Sequence, residues 1–94
     1  MEENMKDKSG LYYYPNPAEK RVRMYVRHRY GQVEFRLWNA EHPEIWEGHD
    51  WVPYDAIVAA AEQYKQRKAG VDPLEMYDIR VAERLIADEG GEPA

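Results

Sequence analysis

Ninety-four residues suit one small domain, whose fold covers only about 60–65% of the surface that the unfolded chain exposes. The absence of cysteine excludes disulfides and thiolate metal or redox chemistry, and a formal net charge of −5 argues against non-specific nucleic-acid binding. No apolar run approaches the ~20 residues that span a membrane, and no signal-peptide core follows the charged start, so a soluble cytoplasmic protein is expected.

Residues 1–10 are polar and without an apolar period, which predicts a disordered leader; residues 88–94 read likewise as a disordered acidic tail. A single domain over 11–87 remains between them. Leu11 to Tyr14 is a short aromatic run closed by Pro15-Asn16-Pro17, a strand followed by a turn. From Arg21 to Trp38 apolar and polar residues alternate, which predicts a two-faced β-hairpin. If Tyr30-Gly31 is its two-residue turn, Arg29 lies opposite Gln32. Val26 then meets Phe35 and Met24 meets Leu37 on the inner side. On the outer side Arg27 meets Glu34, Tyr25 meets Arg36 and Arg23 meets Trp38.

Residues 41–52 read as a loop with Ile45, Trp46 and Trp51 as anchors, and the pattern leaves open a short strand or a helical turn. A helix is predicted from Pro53 to Gly70, with the proline at its first position and Gly70 as its stop. Tyr54, Ile57, Val58, Ala61 and Tyr64 form its apolar stripe. A second helix is predicted from Asp72-Pro73-Leu74-Glu75, a capping-box pattern. Leu74, Tyr77, Ile79, Val81, Ala82, Leu85 and Ile86 spread over a wide arc of it. That breadth places the helix between the sheet and the first helix, or leaves a face for a second chain. The expected fold class is α+β: a three-stranded antiparallel sheet packed against two C-terminal helices. In outline this order resembles small sheet-reading DNA-binding domains, and the resemblance implies contact with nucleic acid through the sheet face.

Charge is unevenly spread. Between Lys20 and Arg36 six cations face one acid, Glu34, whereas Glu41 to Glu62 holds six acids and no lysine or arginine. Arg21, Arg23, Tyr25, Arg27, Arg29, Arg36 and Trp38 form the candidate binding face, since arginine suits phosphate and base edges and aromatic rings stack on unpaired bases. Opposed to that reading, the cross-strand pairs can satisfy the face internally.

Catalytic chemistry is constrained by absence. There is no threonine, the lone serine is Ser9, and no glycine-rich phosphate loop occurs, so neither a catalytic nucleophile nor a nucleotide site is expected. No cofactor is implied. His42, His49 and Asp50 are the candidate metal ligands, although their spacing fits no compact zinc signature. His28 belongs on the inner hairpin face as a hydrogen-bonded histidine at the edge of the core. Eight tyrosines and three tryptophans give the chain the aromatic weight typical of interfaces. The expected function is a small non-enzymatic binding module with a protein partner or self-association, through the last helix or an edge strand at Leu11 to Tyr14. The alternatives are nucleic acid on the basic hairpin face, or an anionic small ligand or peptide in an aromatic groove.

Overall fold

In the computed structural model the chain runs β1 (Lys6–Asp7), β2 (Gly10–Tyr13), β3 (Val22–Arg29), β4 (Gln32–Asn39), α1 (Pro43–Gly48), β5 (Val52–Pro53), α2 (Tyr54–Arg67) and α3 (Ile79–Asp88). The structure describes residues 6–67, 74 and 76–89, with 64–67 given by their main chain. All five strands join one antiparallel sheet in sequential order.

The class is the expected α+β, but among the described residues the three-stranded sheet becomes five-stranded and the two helices become three. The additions are two-residue strands and a six-residue helix, too short to show a period. β1 lies inside the expected leader. It turns back on itself because the Asp7 carboxylate accepts the Ser9 N–H at 2.8 Å and Gly10 adopts a φ of +131°. β2 is consequently covered at Gly10 and Leu11 by Asp7 and Lys6, which closes the start of the edge that the sequence suggested. At the other end Asp88 completes α3.

The hairpin register is the predicted one, from Arg29 opposite Gln32 to Arg23 opposite Trp38. Its turn places Tyr30 at φ +54° and Gly31 at φ +77°, the left-handed pair that matches the twist of two strands joined by two residues. Between 44 and 51 the helical option is the one realised, as α1, and β5 follows at Val52–Pro53.

Met24, Val26, Val33 and Phe35 on the inner face meet Tyr13, Ile57, Ala82 and Ile86 in the core. Met24 is fully buried. α2 lies along β4 and β5, whereas α3 crosses β2, β3 and β4. Among the described residues the wide apolar arc is used directly on the sheet. Pro53 ends β5 immediately before α2, one residue from its expected place, and Ile57 and Ala61 are the buried members of the stripe; the Tyr64 side chain and Gly70 lie outside the described residues. α3 starts at Ile79 and not at Pro73. The Asp78 side chain caps it, accepting from the main-chain N–H groups of Arg80 and Val81 at 3.1 and 3.2 Å. Asp72, Pro73 and Glu75 of the expected capping box lie outside the described residues. Leu74 and Tyr77 reach the core from ahead of the helix, where the buried Tyr13 hydroxyl donates to Met76 O at 2.5 Å and accepts from Asp78 N–H at 2.8 Å.

Candidate functional site

The outer face of the hairpin brings together Arg23, Tyr25, Arg27, Arg36 and Trp38, as the alternation requires. It is not an open surface. The Arg23 guanidinium lies over both the Tyr12 and Trp38 rings, 4.6 and 4.9 Å from their centroids, and donates to Asp7 Oδ2 at 2.9 Å. Arg27 stacks on Trp51 at 4.3 Å and donates to Glu34 Oε1 at 2.6 Å. Arg36 lies 3.8 Å from the Trp46 ring centroid and donates to the Trp46 carbonyl at 2.6 Å. Three arginines thus hold β1 to β4 and α1 together through rings and carboxylates.

Tyr25, expected on the surface, is only 3% exposed. Trp46 from α1 packs on it edge-on at 5.2 Å and Tyr12 flanks it at 5.4 Å. Its hydroxyl donates to Asp7 Oδ2 at 2.5 Å and accepts from Arg23 Nη1 at 3.2 Å. Burial, and then the Asp7 carboxylate beside it, push the phenol up to about 12. Burial works to raise the Asp7 carboxyl, but hydrogen bonds from the Tyr25 hydroxyl and the Ser9 main chain, together with the Arg23 charge, hold it below the usual carboxylate range. The face is a second, polar–aromatic layer of the fold.

Arg21 and Arg29 stand apart from it and are exposed. Arg21 pairs with Glu19 at 3.0 Å and with Glu41, and Arg29 lies 4.9 Å from the Tyr30 ring centroid. Tyr30 itself is 84% exposed.

The residues named as metal candidates do not converge. His42 Nδ1 contacts Glu44 at 3.2 Å, His49 Nδ1 contacts the Ile45 carbonyl at 3.0 Å, and the Asp50 carboxylate accepts the Trp51 N–H at 2.7 Å. No cluster of three ligating side chains occurs among the described residues. His28 faces Val33 as expected, but its Nε2 is buried without the expected hydrogen bond.

An open apolar feature lies elsewhere, along the free flank of β4. Beyond β5 a cleft of about 430 Å³ runs between α1 and α2. Phe35 and Leu37 of β4, Ile45 of α1, Val52, and Ala56 and Ala60 of α2 make it apolar, and Arg36, His49 and Asp50 add its polar atoms. The cleft exists because α1 is anchored on the outer face through Trp46, whereas α2 packs on the inner face through Ile57. Its α2 wall is low because the exposed positions 56 and 60, one turn apart, are both alanine. This small-residue row was the one sequence signal of the cleft, beside the stripe and not part of it.

Comparison of the chain with protein-family models, with curated proteins and with solved structures finds no match. Among the described residues no helix is long and apolar enough to cross a membrane.

Proposed function

We propose that this chain is a small non-enzymatic interaction module that docks a segment of a partner protein in the cleft between α1 and α2. The observation that carries the reading is the cleft itself, an apolar concavity of about 430 Å³ between two walls that the fold fixes independently. Charge selects the occupant. Glu41 to Glu62 supplies α1, β5 and the first turns of α2 with six carboxylates and no lysine or arginine, and Asp50 lines the cleft. An apolar segment flanked by lysine or arginine fits such walls.

The nucleic-acid alternative draws less support. A face that reads phosphate or stacks on bases has to offer free guanidinium groups and open rings, and Arg23, Arg27 and Arg36 already lie on Trp38, Trp51 and Trp46.

Backbone NMR of the labelled protein tests both. Peptides selected from a display library of random twelve-residue sequences should shift Leu37, Val52, Ala56 and Ala60. Single- and double-stranded DNA and RNA oligonucleotides should leave Arg23 to Trp38 unmoved at low and moderate salt. Salt-sensitive oligonucleotide shifts on the hairpin face, with no peptide on the cleft, would overturn the reading.

A further inference from the structure

We propose that the cleft takes its segment as a short added β-strand on the flank of β4 that β5 leaves open; the inference rests on the docking role proposed for the cleft. The argument starts from the turn. In a hairpin joined by two residues the pair flanking the turn, here Arg29 and Gln32, exchanges both main-chain hydrogen bonds, and the bonded pairs recur at every second residue. Glu34, Arg36 and Trp38 therefore direct their N–H and C=O groups to β3. Val33, Phe35, Leu37 and Asn39 direct theirs to the other flank.

On that flank the pairing stops early. β5 meets β4 only at Glu34 with Pro53 and Phe35 with Val52. Continuing the register would bring Asp50 opposite Leu37, but the chain has left the sheet there, with the Asp50 carboxylate bonded to Trp51 N–H and His49 N–H bonded to the Ile45 carbonyl. At the far end the Asn39 carbonyl accepts from His42 N–H at 3.0 Å. Leu37 lies between these closures. Its inner neighbour Met24 is a non-bonded partner by the same parity, and no strand covers its outer flank among the described residues. A free main-chain edge at the floor of an apolar slot is the arrangement that extended peptides exploit: main-chain bonds supply affinity and alternate side chains supply selectivity.

The slot dictates the ligand. Successive side chains of an added strand point to opposite faces of the sheet, so one would enter between Leu37 and the low wall of Ala56 and Ala60, and the next would turn toward Ile45 and His49 on the α1 side. Of the charged side chains in the lining, Arg36 is taken up by the Trp46 ring and carbonyl, which leaves the Asp50 carboxylate of the acidic segment 41–62 to set the charge. The recognised class is thus an extended segment with apolar residues at alternate positions and lysine or arginine beside them. The chain's own end does not fit, since Asp88, Glu89 and Glu92 make it acidic without a cation.

The test uses the full chain and twelve-residue peptides selected as above. The Leu37 amide should exchange with solvent quickly in the free protein and at least tenfold more slowly with peptide bound. N-methylation should weaken binding at least tenfold at the one peptide residue set opposite Leu37, whose N–H would donate to the Leu37 carbonyl, and little at its neighbours. Peptides that shift Ala56 and Ala60 but show an i, i+3, i+4 consensus, or tolerate N-methylation throughout, would overturn the added strand and leave the docking role standing. A set that binds away from the cleft, or a concentration-dependent dimer that shields Leu37 without peptide, would overturn the docking role and the inference with it.

Discussion

The two flanks of the hairpin differ in how much of their chemistry is already spent. On the outer face of β3 and β4 the groups best suited to recognition, guanidinium, indole and phenol, are turned on one another, so that Arg23 has two rings and a carboxylate and Tyr25 is buried beneath Trp46. On the free flank of β4 the groups are plain, a leucine main chain and two alanines, but the fold leaves them uncovered. Composition draws attention to the first region and geometry to the second. A charged aromatic face is evidence of a partner only when its members are not one another's partners.

The sharpest break of that contrast is Tyr25→Ala. Removing a buried ring that also bridges Asp7 and Arg23 should cost about 3–5 kcal/mol, read as a shift in the urea midpoint with near-constant slope. A loss under about 1 kcal/mol would mean that the outer layer is an accessory surface after all. Arg23→Glu combined with Arg27→Glu comes next. Each change puts a carboxylate beside Asp7 or Glu34 and unstacks Trp38 or Trp51, so the pair should lose about 2–4 kcal/mol, well beyond the half kilocalorie of an ordinary surface substitution. Binding of cleft peptides by the fraction still folded should be unchanged.

Alkali probes the same layer without mutation. Tyr25 and Tyr13 ionise at about 12 in the fold and near 10 when unfolded, so the folded state binds more protons than the unfolded state between those values. Their contribution is therefore complete below pH 10 and is lost as pH rises through about 12. Tyr25→Phe should flatten that fall, measured by thermal melts from pH 9 to 12, while Tyr30→Phe, at an exposed ring, should not. Acid works through Asp7 with the opposite sign. Its lowered folded value gives stability that is present above the ordinary carboxylate range and disappears as pH falls through the folded value, and Asp7→Asn should remove that dependence.

What the sequence made legible follows the length of each pattern. β3 and β4 alternate for eight residues each, and their register could be counted outward from Tyr30-Gly31. β1 and β5 are two residues long, set by what they close and not by any period of their own. The start of α3 was displaced because Asp72 and Asp78 are both good caps followed by apolar residues, and Asp78 is the one observed in that role. The outer face was legible as a set of residues but not as a buried one. Its burial depends on Trp46 and Trp51 returning over it from farther along the chain, onto Arg36 and Tyr25 and onto Arg27, through a segment whose path alternation does not specify.

The smallest expected effect on stability bears most directly on the cleft. Ala60 is exposed on α2, and glutamine is nearly as good a helix former, so Ala60→Gln should change stability by less than about 0.5 kcal/mol. The longer side chain raises the low wall of the slot and should weaken selected peptides at least tenfold in a fluorescence-anisotropy titration. Asp55→Asn, on the same helix but not in the cleft lining, serves as the comparison, and should leave affinity within about twofold because an exposed charge at that remove is screened by salt. If Asp55→Asn weakens binding as much as Ala60→Gln, the peptide is held by the acidic field of α2 and not by the shape of the cleft. If only Ala60→Gln acts, an unremarkable pair of alanines has more to do with recognition than the arginines of the hairpin.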